Sequence, residues 1–199
     1  MQTKYSYWVF RDVISEKDRN KIKRKAKKSS YSKGSTRDSD LTEEEKNDNV
    51  RNTDVAFSND QYLYDLLCPF VHIANENAGW KYDVDWFESV QIARYKKNQH
   101  YAWHTDGNND HFATYGEDGN YTGKVRKLSL VSCISNGFDG GELEFSVQDG
   151  GEDTNSILTP ELEVGDVVVL PSFVRHRSTP VTKGIKYSVA MWCLGAPFK

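Results

Sequence analysis

The stretch LEVGDVVVLPSFVRHRSTPVTKGIKYSVAMWCL, residues 162–194, decides the fold. It holds two short, nearly continuous apolar runs, GDVVVL (165–170) and SVAMWCL (188–194). Each is too short for an ordinary helix, and each is bounded by Gly or Pro turns and rich in β-favouring residues. Such runs are expected of strands buried on both faces. Working outward, DVDWFESVQIARY (83–95), KLSLVSCIS (127–135) and GELEFSV (141–147) repeat the signal, separated by Gly, Asn, Asp and Pro clusters. From Trp80 onward the chain therefore reads as a compact antiparallel β-core.

The first third reads differently. YSYWVF (5–10) is an aromatic, β-favouring run. Ser15 opens a helix with Asp18 three residues later, a weaker capping box, and the helix continues through KDRNKIKRKAKK (17–28) as a basic, solvated surface element. Residues 29–50 are polar and nearly free of large aliphatics, as in a surface loop or a lid over a site. VAFS (55–58) reads as a short strand. Asn59 or Asp60 then caps a second helix, in which Leu63, Leu66, Leu67, Phe70, Val71 and Ile73 recur at helical spacing and Pro69 kinks or splits the element. The expected fold is mostly β with α (α+β): a double-stranded β-helix (jelly-roll, cupin-like) core with N-terminal helices packed on one sheet. Residues 1–199 are read as one domain, with a strand, basic helix and polar loop over 1–50 and the core over 51–199.

Composition narrows the function classes. Apolar residues make up 37% and aromatic residues 13% of the 199, and the net charge is −3. No general field draws the chain to nucleic acid or anionic membrane, so either partner would need a local patch. Cys68, Cys133 and Cys193 are odd in number and unpaired by spacing, as in a reducing compartment. With no long apolar run and no basic-then-apolar start, the expectation is a cytoplasmic protein without a membrane partner.

His104 and Asp106 stand two apart in YAWHTDG (101–107), after a strand-like run. Alternation along a strand puts such residues on one face, within reach of one ion. His176, just after GDVVVL and the turn PSF, is the best candidate for a third ligand. Two histidines and a carboxylate fill one face of an octahedron and leave three adjacent positions open. That suits non-haem Fe(II), although the ligand types also admit manganese. His100 with His104 would be a zinc pair only on a helix, which the flanking residues disfavour. His72, in a helical pattern, and His111, in a polar loop, read as non-ligands.

QIARYKKNQHYAWHTD (91–106) and RHRSTPVTKGIKYSVAMW (175–192), with RKLSLVSCIS (126–135) and GGELEF (140–145) between them, resemble the prolyl 4-hydroxylase-like Fe(II)/2-oxoglutarate dioxygenases, especially bacterial and viral members. The resemblance spans roughly residues 50–195, and its motifs agree in order and spacing. It implies that His104, Asp106 and His176 bind the iron and carry catalysis. Lys186 would pair with the distal carboxylate of 2-oxoglutarate. Tyr95 would donate its hydroxyl to the same molecule with help from Ser129, Trp192 would wall the pocket, and Arg126 would lie near the substrate. Where many relatives have Tyr-Leu-Asn after the central strand, this chain has Ser132-Cys133-Ile134-Ser135-Asn136, a departure that leaves the ligands untouched.

The implied activity is hydroxylation of a C–H bond with Fe(II), 2-oxoglutarate and O2, ascorbate serving as reductant and succinate and CO2 as co-products. The implied substrate is a peptidyl proline in a protein or peptide, with residues 29–50 and 107–123 as candidate lids. Alternatives are the same chemistry on a free amino acid, another small molecule or nucleic acid, and a non-catalytic cupin-like metal-binding module. The lack of clustered Lys and Arg around the core motifs speaks against nucleic acid, although residues 21–28 keep it open.

Overall fold

The structure, a computed structural model, describes residues 5–34, 50–106, 121–148 and 155–198. In chain order its elements begin with β1 (Trp8–Phe10), α1 (Glu16–Lys28), β2 (Ser32–Lys33), β3 (Arg51–Asn52), β4 (Asp54–Ser58) and α2 (Gln61–Asn77). There follow β5 (Trp86–Phe87), β6 (Val90–Tyr95), β7 (His100–His104), β8 (Val125–Cys133), β9 (Asp139–Gly140) and β10 (Leu143–Gln148). The last are β11 (Asn155–Leu158), β12 (Val167–Pro171), β13 (Arg175–Ser178), β14 (Val181–Lys183) and β15 (Lys186–Gly195).

The strands form a major sheet of eight, ordered β1-β12-β8-β15-β6-β4-β2 with β5 on β15, and a minor sheet of five, ordered β11-β10-β13-β7-β3. β9 and β14 make a separate pair. Every pairing is antiparallel. The two apolar runs that decide the fold become β12 and the centre of β15, and both of their faces are covered. Outward, Val167, Val169, Val189, Met191 and Cys193 pack with Ile22 and Ala26 of α1 and Leu63, Leu67 and Val71 of α2. Inward, Val168 and Leu170 meet Phe145 of the minor sheet. Burial on two sides removes the polar alternation that a half-exposed strand shows.

Ser15 caps α1 by accepting from the Asp18 amide, and of Asn59 and Asp60 it is Asp60 that caps α2, accepting from the Tyr62 amide. Pro69 does not split α2, which runs as one helix across it. Position 69 is exposed, so the carbonyl one turn earlier that loses its partner meets solvent. The run 83–95 is two strands, the two-residue β5 and then β6. Of the polar segment 29–50, Ser32–Lys33 pairs with β4, while 35–49 lies outside the described residues, as do 107–120 with His111. The readings of these segments as lids therefore fall outside the described structure.

Candidate metal centre

β7 and β13 are neighbours in the minor sheet, and their register sets His176 directly against His104. The backbone fixes both rings. Nδ1 of His104 lies 2.8 Å from the Ala102 carbonyl oxygen, and Nδ1 of His176 lies 2.8 Å from that of Val174. A carbonyl only accepts, so each Nδ1 carries the proton and each Nε2 is left with a lone pair. Asp106 follows β7 and crosses toward the major sheet, where its amide donates to the Ser172 carbonyl at 2.8 Å. Its Oδ1 lies 3.6 Å from His104 Nε2, and its Oδ2 lies 3.5 Å from His176 Nε2. The three donor atoms fall within 4.8 Å of one another, in the one such group of three among the described residues. Two neutral imidazole nitrogens and one carboxylate, pointed at a common centre, fit a divalent first-row metal.

The electrostatics agree. Burial drives the Asp106 pKa up, but His176 and His104 beside it outweigh that, and the carboxyl stays well below the ordinary range. Burial, reinforced by His104, pulls His176 down to about 4, so its ring is neutral near pH 7, the form that ligates. His100 and His72 lie outside the group. His100 sits on the same strand as His104 with its Nδ1 3.4 Å from the Asn98 carbonyl, and His72, on α2, meets the Phe87 ring edge-on. The strand conformation removes the zinc pair that a helix would have made.

Lys186 opens β15, opposite Tyr95 on β6. It is 7% exposed, and its Nζ donates to the Gly141 carbonyl at 2.6 Å and to Ser178 Oγ at 3.2 Å. Ser178 belongs to the minor sheet, so the ammonium points into the space between the sheets. Gly141 permits the approach: φ there is +72°, and a Cβ would lie 3.1 Å from Lys186 Cδ. Among the described residues no carboxylate lies within 4.0 Å of this ammonium, and burial pushes its pKa down. Glu142, next to Gly141 but beyond ion-pair distance, offsets that burial only in part, so the buried cation is an incomplete arrangement that a closer anion completes.

The other predicted residues surround this space. Tyr95 is buried, its ring centroid 5.3 Å from Lys186 Nζ, and burial raises its phenol pKa. Ser129 does not offer a free hydroxyl. It is engaged at 2.9 Å with Ser172, the residue whose carbonyl holds Asp106. Trp192 faces inward beside Ser129 with its Nε1 buried and unpartnered. Arg126 lies over the Trp192 ring at 4.2 Å and donates to both Glu88 carboxylate oxygens at 2.6 Å. Cys133, in the departing segment, is on β8 opposite Ser188, and burial raises its thiol pKa against a smaller opposing pull from Lys186.

One residue at the site escaped the sequence reading. The Tyr101 ring stacks on the His104 imidazole, with centroids 3.5 Å apart and planes 11° off parallel, and the Arg51 guanidinium lies 4.5 Å from the Tyr101 centroid. Three residues apart, Tyr101 and His104 should face opposite ways on a regular strand. Between the pairs His176–His104 and Ser178–Tyr101, however, β7 has one residue more than β13. That bulge restores both side chains to the inner face. Burial then pushes the Tyr101 phenol up to about 12.

Known proteins are similar to this chain to differing extents. The chain is 32% identical over 106 residues to a PKHD-type hydroxylase of Synechococcus sp. (strain CC9605), covering 52% of this chain and 40% of that one. To the PKHD-type hydroxylase YbiX of Escherichia coli it is 34% identical over 102 residues, covering 50% and 40%. The chain thus matches less than half the length of these relatives. Among solved structures, the viral collagen prolyl hydroxylase of Paramecium Bursaria Chlorella virus-1, in its 2OG complex, superposes with a TM-score of 0.67 at 18% identity, covering 97% of this chain and 98% of that one. A prolyl hydroxylase from Trichoplax adhaerens, in complex with a hypoxia inducible factor peptide fragment, gives 0.70 at 12% identity, covering 96% and 84%. At such identities these structures establish the double-stranded β-helix fold. The family model of the 2OG-Fe(II) oxygenase superfamily matches residues 90–194, just over half of the chain and the stretch that carries all three clustered donors, and the chain belongs to that superfamily.

Proposed function

We propose that this chain is an Fe(II)- and 2-oxoglutarate-dependent dioxygenase, acting as one catalytic unit over residues 1–199, that hydroxylates a peptidyl proline in a protein or peptide. One observation carries the reading. A buried His-Asp-His cluster shares the inter-sheet space with a buried ammonium that no carboxylate of the described residues approaches within 4.0 Å. A dicarboxylate chelating the metal at one end and meeting Lys186 at the other completes both. His104, Asp106 and His176 would hold the ion, and Lys186 with Tyr95 would hold the distal carboxylate. Trp192 and Arg126, stacked on each other, would border the substrate. Iron bound there supplies O2 activation coupled to decarboxylation of 2-oxoglutarate: one oxygen atom goes to succinate and the other to the new hydroxyl, while CO2 leaves.

The proline substrate rests on the family resemblance and on the prolyl hydroxylases that share the fold. A cytoplasmic setting, with ascorbate keeping the metal ferrous, accords with three free cysteines and with the absence of any described helix long and apolar enough to cross a membrane.

The test is succinate formation after anaerobic loading with Fe(II) and exposure to O2, with and without proline-containing peptides. Turnover that rises with one peptide and yields a hydroxylated proline, and that is lost in His104→Ala together with bound iron, is the expected result. Stoichiometric iron with no succinate under any condition would leave a metal-binding module and defeat the proposal.

A further inference from the structure

α1 carries Lys or Arg at eight of its thirteen positions, far beyond what a solvated helix needs for solubility, in a chain whose net charge is −3. Their placement is ordered. Ile22 and Ala26 are the buried residues of the helix, facing the major sheet. Lys17, Lys21, Arg24 and Lys28 follow at steps of four, three and four, so they form one stripe of about 16 Å on the opposite, solvent-facing side. Beside the stripe, between α1 and the start of α2, lies a recess of about 380 Å³ lined by Lys21, Arg24, Lys25 and Lys28 with Asp60 and Tyr62, and by the buried Ile22 and Leu63.

The nearby acids do not cancel the stripe. Asp18 accepts from Ser15 and from the Tyr62 hydroxyl, and Asp60 is paired with Lys25 at 2.7 Å while capping α2. Lys21 lies over the Tyr62 ring, which leaves its charge intact. Arg24 and Lys28 have no partner among the described residues, and Lys17, Lys21, Arg24 and Lys28 are all exposed. The outer face of α1 also lacks any apolar side chain. A protein interface needs a desolvated apolar centre, which this face does not have, whereas a phosphate backbone is held by cations alone.

We propose that the outer face of α1 is a docking surface for the phosphate backbone of a duplex nucleic acid, bound without base readout. No accessible ring in the recess is free to stack on a base, because Tyr62 is already covered by Lys21 and bonded to Asp18. α1 packs on the outer side of the major sheet, and the His-Asp-His cluster lies on its inner side. Docking there leaves the metal centre open, so the surface tethers the protein without competing with its substrate.

The test is anisotropy of a short fluorescein-labelled DNA or RNA duplex titrated with the full chain at graded salt. Four phosphate contacts predict a slope of log K against log salt of about −3.6, so affinity falls roughly 100-fold between about 50 and 200 mM salt. Lys17→Gln/Lys21→Gln/Arg24→Gln/Lys28→Gln should abolish binding, with circular dichroism and metal content unchanged. Arg24→Gln/Lys28→Gln, with only two changes at exposed positions, should halve the slope. Poly-glutamate peptide and phosphatidylserine vesicles are the competing arms. Tighter binding to either than to the duplex, or duplex binding that survives the fourfold change, would overturn the proposal.

Discussion

Lys186 is the residue whose surroundings ask most for a ligand. Its ammonium is buried against a carbonyl and a hydroxyl, with Glu142 acting on it only from beyond ion-pair distance, an arrangement that costs stability until a closer anion arrives. Lys186→Met therefore has two opposite expected effects. The ligand-free protein gains about 1–3 kcal/mol in denaturant unfolding, because an apolar chain of similar size replaces a desolvated charge. The KM for 2-oxoglutarate rises roughly 30- to 1,000-fold, because the distal carboxylate loses its counter-charge. A variant that is destabilised with its KM intact would mark Lys186 as purely structural. Tyr101, stacked on His104, would support a metal held there. Tyr101→Ala should weaken Fe(II) binding about tenfold in chelator-buffered titrations, and Tyr101→Phe, which keeps the stacked ring, should restore it. Unequal legibility in the sequence follows from the same geometry. His104 and Asp106 stand at the two-residue spacing that alternation brings to one face. Tyr101 stands at three and reaches that face only through a bulge, which leaves no mark in the run HYAWH.

At the scale of elements, the edge strand β1 pairs with β12, and a single carboxylate ties down the turn that follows it. Asp166, 3% exposed just before β12, accepts from the Asp12 amide at 2.8 Å, the Glu163 amide at 3.0 Å and Arg11 Nη1 at 2.7 Å. Burial pushes its pKa up, but these three donors outweigh burial and hold it below the ordinary 3.8. A carboxyl whose folded pKa lies below its unfolded one contributes stability that is complete above the unfolded value and is lost as pH falls through the folded one. Asp166→Asn should therefore cost about 1–3 kcal/mol at neutral pH. The gap between variant and parent, read from urea midpoints, should narrow below pH 3.8, and a gap constant with pH would refute the charge-based account. Elements differ in how plainly the sequence announces them. β12 and β15 are legible because burial on both faces leaves uninterrupted apolar runs. β3, β5 and β9, two residues each, are too short to hold a period. Pro69 reads as a break, yet its exposed position lets α2 continue.

Across the whole molecule, the candidate site lies between two layers that also meet through the apolar cluster around Phe145, Val168 and Leu170 and through Tyr101 packed on Val55, Ala93 and Tyr95. The histidines belong to the minor sheet. Asp106 is tied to Ser172, whose amide donates to Lys127 on the major sheet and whose hydroxyl meets Ser129 there. Lys186 hangs from the major sheet and reaches Ser178 of the minor one. A metal with 2-oxoglutarate bound to it would bridge the layers through both ends of the co-substrate, so the two ligands should stabilise the fold cooperatively. With Mn(II), which suits this ligand set, and 2-oxoglutarate each at about 100 times its Kd, the pair should raise Tm by roughly 5–10 °C above metal alone. 2-Oxoglutarate without metal should shift Tm little, because Lys186 alone holds only one carboxylate. In Lys186→Met the metal increment should persist and the co-substrate increment should vanish, since the donors for the ion are separate from the cation for the distal carboxylate. Equal and additive shifts, with 2-oxoglutarate stabilising the metal-free protein as well as the loaded one, would place the dicarboxylate away from the metal and break the link between the two halves of the site.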